Sequence, residues 1–211
     1  ERKMNPVFIG ITGGTGAGKS TVCTALQDAY RDEIGLVQLD DFFKPPNEVP
    51  QLDGMVNWEH PNAIYFDRFV KTLSELERGE PTIIYTKNDK INPEFCRTRQ
   101  RIPWVVVPKP IMLVEGFLTL YYKEVRKLLT SSIWLESDHQ TRWSRRVHFK
   151  NPDYESGILI PMHNLYVEPT RRYADHVIEV SGLTEDEVLS EVEEIIRVTC
   201  YLNLKKQRSG Q

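Results

Sequence analysis

The run Gly13-Gly14-Thr15-Gly16-Ala17-Gly18-Lys19-Ser20 constrains this chain more than any other feature. It fits G-x-x-x-x-G-K-[S/T], a pattern that needs a strand before it and a helix after it. Glycines let the backbone curl so that successive N–H groups converge on anion oxygens. Lys19 offers a point charge to β and γ phosphates, and the Ser20 hydroxyl can bind Mg²⁺. The following helix aims its N-terminal N–H groups and the positive end of its dipole at the same anion. From average residue frequencies the pattern should arise by chance in roughly 1% of chains this long. The context agrees. Val7–Thr12 is an apolar run, and Gly18–Tyr30 carries Val22, Ala25, Leu26 and Ala29 at helical spacing. The plain alternative is a glycine-rich turn with an incidental Lys-Ser. Gly13 to Ser20, with Thr21 behind them, indicate a nucleoside triphosphate with Mg²⁺. They do not say what receives the phosphate.

Other short apolar runs read as strands covered on both faces: Leu36–Leu39, Ile111–Val114, Ile133–Leu135 and His176–Val180. Helices are expected between them, over Asn62–Arg78, Leu118–Leu129, Asp138–Phe149 and Thr184–Cys200. The last begins with Thr184 and Glu187 at capping-box spacing. Strands alternating with helices predict a doubly wound α/β sheet. Between Pro81 and Pro110 the alternation breaks. Thr82–Thr86 and Ile102–Val107 there read as a projecting hairpin around a polar connection. Lys44–Asn57 and Lys150–Pro161, each with several prolines or glycines, read as loops.

Composition removes several function classes. At 211 residues the chain has the length of one domain, and its 40% hydrophobic and 27% charged content is ordinary for a globular fold. A formal net charge of −3 is a poor match to bulk nucleic-acid binding, so cations used for phosphate must be local. No apolar run reaches about 18 residues, so no membrane span is expected. Glu1 to Pro6 is polar, without an apolar segment of signal-peptide length, and the residues before Met4 fit a cloning remnant. Three scattered cysteines, Cys23, Cys96 and Cys200, suit a reducing compartment, which makes the cytoplasm the expected location. Oligomeric state is left open.

In an open parallel sheet, ligands sit at the carboxyl ends of the strands. Asp40 and Asp41 follow one such run, and Glu115 follows another. The first could accept a proton from an attacking hydroxyl, and Glu115 could hold Mg²⁺ directly or through water. The competing reading is a turn, where Asp is common. Arg142, Arg145 and Arg146 fall at i, i+3 and i+4, a cluster suited to phosphate oxygens or to a solvated face paired with local acids. Trp58 and Glu59 could supply a ring wall and a carboxylate for sugar hydroxyls, or simply form a helix-entry turn. The histidines have no metal-ligand spacing.

Taken together these pieces resemble the uridine kinase family of P-loop nucleoside kinases, which includes the nicotinamide riboside kinases. The likeness covers most of residues 7–198. It rests on the cradle, on Asp40-Asp41-Phe42-Phe43, on Asn57-Trp58-Glu59-His60-Pro61-Asn62-Ala63, on Val114-Glu115-Gly116-Phe117 and on Thr141-Arg142-Trp143-Ser144-Arg145-Arg146-Val147. A further piece is Tyr166-Val167-Glu168-Pro169-Thr170 with Arg172-Tyr173-Ala174-Asp175. The resemblance implies a single P-loop NTPase-type domain. It would have a five-stranded parallel sheet ordered 2-3-1-4-5, a hairpin insertion over 81–110, a helical lid over 142–172, and flexible tails over 1–6 and 201–211. It implies ATP-dependent phosphorylation of a nucleoside 5′-hydroxyl. Asp40 would be the general base, and Lys19 with Arg142 and Arg145 would stabilise the moving phosphoryl group. Ser20 and Glu115 would serve Mg²⁺. Acceptor contacts would come from Asp40, Phe43, Trp58, Glu59, Tyr85 and Arg142, with Glu59 at the family's ribose-binding acid, usually Asp, and Tyr85 on the hairpin beside the base.

The sequence departs from that pattern in two places. Uridine kinases carry a His shortly after the hairpin Tyr, whereas Thr86–Asp89 has none and offers the Asn88 amide. Lys150–Met162 is less basic than a uridine kinase lid and, like Asp40–Pro45, is similar to the riboside kinases. Within the kinase reading, uridine or cytidine is the leading acceptor, and these departures make nicotinamide riboside the runner-up. Two further readings are a GTP-driven switch, for which Thr86-Lys87-Asn88-Asp89 is in the wrong order, and a binding-only relative, against which Lys19, Ser20, Asp40 and Glu115 stand intact.

Overall fold

The apolar runs become one parallel sheet. The computed structural model describes residues 6–146 and 150–209. Its main sheet joins β1 (Val7–Thr12), β2 (Ile34–Gln38), β7 (Ile111–Glu115), β8 (Ser131–Glu136) and β9 (His176–Glu179) in the order β2-β7-β1-β8-β9. Counted along the chain that is 2-3-1-4-5, as expected. All pairings are parallel, with Ile9 opposite both Leu113 and Ser131. The β1 strand is buried along its whole length, which is why it reads as a continuous apolar run rather than an alternating one.

Side chains that alternate along β1 feed two cores. Phe8 packs on one face with Trp134 and with Phe69, Leu73 and Leu76 of α2 (Phe66–Glu77). Ile9 and Ile11 pack on the other with Val22 and Leu26 of α1 (Lys19–Ala29). Val192 and Ile196 of the C-terminal helix join that second core. The Thr184 hydroxyl accepts from the Glu187 N–H at 3.3 Å while the Glu187 carboxylate accepts from the Thr184 N–H at 2.8 Å, completing the capping box.

The structure trims or replaces several expected elements. Of Asn62–Arg78, residues Pro61–Ala63 form a short 3₁₀ turn and α2 starts at Phe66. Inside the expected loop Lys44–Asn57, β3 (Gln51–Leu52) and β4 (Met55–Val56) pair across Asp53-Gly54, both at positive φ, the backbone a two-residue hairpin turn requires. The hairpin insertion is present as β5 (Thr82–Thr86) against β6 (Ile102–Val106), with the single turn α3 (Phe95–Thr98) in its connection. The expected helix Leu118–Leu129 is reduced to α4 (Lys123–Leu128). Asp138 accepts the Thr141 N–H and caps α5 (His139–Arg145). Val147 and Phe149, placed at the end of that helix by sequence, lie outside the described residues, as do most of the expected N-terminal tail and the last two residues.

The expected loop Lys150–Pro161 is helical. A run over 152–173 contains α6 (Pro152–Tyr154), α7 (Ile160–Met162) and wider π turns on either side of α7. Pro161 sits inside this run, where its missing N–H removes a regular ladder bond. At the other end α8 (Glu185–Ser209) continues through residues that the sequence assigned to a tail. No helix among the described residues is long and apolar enough to cross a membrane.

Phe69 has no exposed surface and meets Phe42 edge-on at 5.0 Å between ring centres. Phe69→Ala should lower the free energy of unfolding by about 3–5 kcal/mol in urea denaturation. A loss below about 1 kcal/mol would mean that this layer repacks freely.

Candidate active site

The cradle forms where β1 ends. Gly13, Gly16 and Gly18 adopt φ of +133°, +86° and +91°, a region that L side chains rarely enter. Space closes two of these positions and Gly14 as well, and leaves Gly18 open. A Cβ on Gly13 would lie 2.5 Å from the Leu135 carbonyl oxygen, and one on Gly14 or Gly16 would run into Arg142. Ala17 is buried and donates its N–H to Gly14 O at 3.1 Å. Gly18 starts α1 without a side-chain cap, so the first N–H groups of that helix face the loop. Thr15, Gly16, Lys19 and Ser20 line a cavity of about 910 Å³. Thr21 is exposed and does not line it.

Lys19 is buried and donates from Nζ to Gly14 O at 3.0 Å. Burial lowers its pKa, while Glu115 and Asp40 pull it back up. Glu115, at the end of β7, is buried too. Burial raises its pKa, and Lys19 opposes that most strongly. Hydrogen bonds from Ser20 and from Gln38 Nε2, the latter at 3.2 Å, also hold the carboxylate. A triphosphate fits this loop because its donors and buried cation converge on one concavity. Mg²⁺ fits the Ser20 hydroxyl with the Glu115 carboxylate, since it is usually held by one or two protein oxygens plus phosphates and water. No cluster of three or more His, Cys, Asp or Glu able to hold a metal occurs among the described residues.

Asp40, Phe43, Trp58, Glu59 and Phe117 line the same cavity. Asp40 and Asp41 lie in a 3₁₀ turn, Leu39–Phe42, directly after β2. They diverge: Asp40 lines the cavity, while Asp41 is buried and accepts the Lys87 N–H at 2.9 Å. Burial raises the Asp41 pKa. Phe43, Trp58 and Phe117 supply rings, with Trp58 edge-on to Phe43 at 5.6 Å. Glu59 is buried. Its nearest polar neighbours include the Tyr154 hydroxyl at 3.5 Å from Oε1 and Arg146 Nη2 at 4.0 Å. Burial pushes the Glu59 pKa up to about 7, against the pull of Arg146, and raises that of Tyr154 further above its usual value.

The lid packs onto this end. Tyr154, Ile158 and Leu159 cluster with Leu52 and Met55 of the small β3–β4 hairpin and with Trp58 and Trp143. His139 Nε2 and Glu155 Oε1, 2.7 Å apart, tie the lid to α5.

Of the cradle residues, Gly13, Gly14, Ala17 and Gly18, like Thr21, do not line the cavity, and three of the catalytic and acceptor-contact residues singled out from sequence are not brought to its wall either. Tyr85 is 60% exposed, because the alternation of β5 buries Thr82, Ile84 and Thr86 and turns Ile83 and Tyr85 outward. Arg142 is buried against the back of the cradle, donating from Nε to Ser137 O at 3.0 Å with its guanidinium about 3.3–3.4 Å from both His163 ring nitrogens. Burial lowers the His163 pKa to about 3, so the neighbouring ring is neutral. Arg145 points away and donates to Val180 O at 3.3 Å. The third arginine of the cluster, Arg146, is the one on the cavity wall. Sequence reasoning also passed over Lys87, Phe95, Arg99 and Arg101, which the hairpin connection carries to the cavity, and Tyr154. Lys87 sits in the polar stretch already noted. The others had no local signal, because their placement depends on how the hairpin and lid fold back.

A parallel sheet of this order, with such a cradle on its central strand, defines a P-loop kinase fold. The phosphoribulokinase / uridine kinase family profile matches residues 8–186. The uridine kinase of Clostridium novyi is 33% identical over 208 residues, spanning 92% of this chain and 98% of that protein. The uridine kinase of Geobacillus kaustophilus is 31% identical over 189 residues, spanning 84% and 87%. Among solved structures, a possible uridine kinase from Bacillus stearothermophilus superposes with a TM-score of 0.60 at 15% identity, covering 85% of this chain and 91% of that one. Shikimate kinase from Acinetobacter baumannii superposes at 0.51 and 16%, covering 92% and 95%. The chain belongs to the phosphoribulokinase / uridine kinase family and is an ATP-dependent kinase.

Glu59 makes the site pH-sensitive. Its folded pKa, about 7, lies above its ordinary 4.5. The folded state therefore holds this proton more tightly, and the benefit is complete below 4.5 and lost as pH rises through about 7. Glu59→Gln should gain stability relative to the parent across that window, by on the order of 3 kcal/mol at its upper end. Urea denaturation at several pH values checks this, and a difference independent of pH would contradict it.

Proposed function

We propose that this kinase transfers the γ-phosphoryl group of ATP to the 5′-hydroxyl of a ribonucleoside, with uridine or cytidine as acceptor. The supporting observation is that Asp40, Glu59, Lys19 and Glu115 line one cavity together with the rings of Phe43, Trp58 and Phe117. Triphosphate and sugar can then meet there. The uridine kinases among its relatives point to the same acceptor class.

In this reading Asp40 accepts the proton of the 5′-hydroxyl as its oxygen bonds to the γ phosphorus and the bond to the bridging oxygen of ADP breaks. Lys19 and the cradle N–H groups meet the charge on the phosphoryl oxygens. Bound Mg²⁺, held by Ser20 and Glu115, would supply charge neutralisation on the phosphates. Glu59 receives the ribose hydroxyls between Tyr154 and Arg146. Phe43, Trp58 and Phe117 cover the flat base. Arg146, rather than Arg142 or Arg145, is the arginine of the α5 end that serves the acceptor side. Arg142 fixes the back of the cradle. The docked lid excludes water, which suppresses ATP hydrolysis. Three unpaired cysteines, one of them exposed, agree with a reducing, cytoplasmic setting.

Asp40→Ala should lower turnover by about 10²–10⁴-fold with ATP affinity nearly unchanged, read by a coupled kinase assay and calorimetric ATP titration. Near-normal turnover would remove Asp40 from the base role. A panel of uridine, cytidine and nicotinamide riboside should give the highest kcat/KM with a pyrimidine nucleoside. A clear preference for nicotinamide riboside would reassign the acceptor and leave the phosphotransfer intact.

A further inference from the structure

The feet of the β5–β6 hairpin are fastened to the turn that carries Asp40. Lys87, one residue past β5, bonds twice. Its N–H donates to Asp41 Oδ1 at 2.9 Å, and its Nζ donates to Asp40 Oδ2 at 2.9 Å. Arg101, just before β6, spans the same two residues from the other side. It donates to the carbonyl oxygen of Asp40 at 3.1 Å and also to that of Asp41. The next residue extends the link. Asn88 Nδ2 donates to Gln38 Oε1 at 2.8 Å, and Gln38 Nε2 donates to Glu115 Oε2 at 3.2 Å. A segment far from the cradle in sequence thus reaches one site carboxylate directly and the other through a single amide.

We propose that Lys87 is a positioning residue for Asp40. It occupies one carboxylate oxygen and leaves Oδ1 for the acceptor hydroxyl, while the Asp41 and Arg101 bonds fix the turn beneath. This rests on the base role proposed above for Asp40. The exposure of the pair separates positioning from stability. Asp40 and Lys87 side chains are 44% and 32% exposed, and ion pairs that wet contribute little to folding. Their value lies in aim, where an error of about 1 Å can cost roughly 10²-fold in rate.

The test is a double-mutant cycle on the full chain. It uses Lys87→Met, Asp40→Ala, the pair combined, and Lys87→Arg, assayed with ATP and whichever of uridine, cytidine and nicotinamide riboside turns over fastest. Lys87→Met should lower kcat about 10- to 100-fold with both KM values within about threefold, and Lys87→Arg should recover most of it. In the Asp40→Ala background Lys87→Met should cost less than about twofold, because its effect runs through Asp40. A full cost in that background would show that Lys87 acts on the substrates themselves and would overturn the proposal. So would an unchanged kcat in the parent background. If Asp40→Ala keeps its turnover, or no acceptor is phosphorylated, the functional reading falls first and this proposal with it. A loss in Asp40→Ala with none in Lys87→Met removes the positioning role alone. Thermal melting accompanies each variant. Should Lys87→Met melt several degrees lower, Lys87→Gln is carried through the same cycle under the same criteria.

Discussion

Between β1 and α1 the backbone passes through three glycines in left-handed conformations while touching two other parts of the fold. Leu135 of β8 stands against Gly13, and Arg142 of α5 stands against Gly14 and Gly16. The cradle is therefore shaped from outside as well as from within. Arg142 has lost most of its solvent and is held by Ser137 O, so it acts as a wall for the loop. A side chain on Gly13 or Gly16 meets both a torsional and a steric penalty, whereas one on Gly18 meets the torsional penalty alone. The geometry that gathers N–H groups on one anion is thus also what seats the base of the lid.

The second constraint is electrostatic. Lys19 and Glu115 sit together out of water, and burial drives each toward its neutral form while the other restrains it. Two opposite charges kept this way repay only part of their desolvation. Such an arrangement makes sense where a highly charged ligand completes it, since the site then contributes preformed charge without reorganising. Asp40 is in a different environment. It is half-exposed at the mouth and paired with Lys87, which suits a group that must meet an incoming hydroxyl.

How much of this could be read from residues follows the range over which each feature is specified. The cradle, the strands and the positions of Asp40 and Glu115 were legible because each depends on neighbours in sequence: a glycine pattern, a short apolar run, an acid at its end. The strand order followed from the family resemblance and holds. The Asp53-Gly54 hairpin was legible in principle and was hidden by the prolines around it. Tyr85 shows the limit. Its expected role came from the family resemblance, but the pleat of β5, with Thr82, Ile84 and Thr86 inward, decides its face. Arg142 and Arg146 are four residues apart on or beside one short helix, yet one stands against the cradle glycines and the other lines the cavity. Which does which is set by where α5 ends, and that is a tertiary matter.

Glu59 joins these threads. Its carboxylate is buried, and desolvation is the largest influence on its protonation. Its raised pKa is the result. Tyr154 comes from the lid, Arg146 from the end of α5 and Trp58 from the turn before α2, so the environment of Glu59 is complete only with the lid docked. Lid docking and the charge on this carboxylate are thereby linked. A lid that lifts admits water and favours the ionised acid, and a lid that closes favours the neutral one unless sugar hydroxyls or Arg146 compensate. In the function proposed above, the two adjacent hydroxyls of a ribonucleoside would supply donors that let Glu59 remain charged beneath a docked lid.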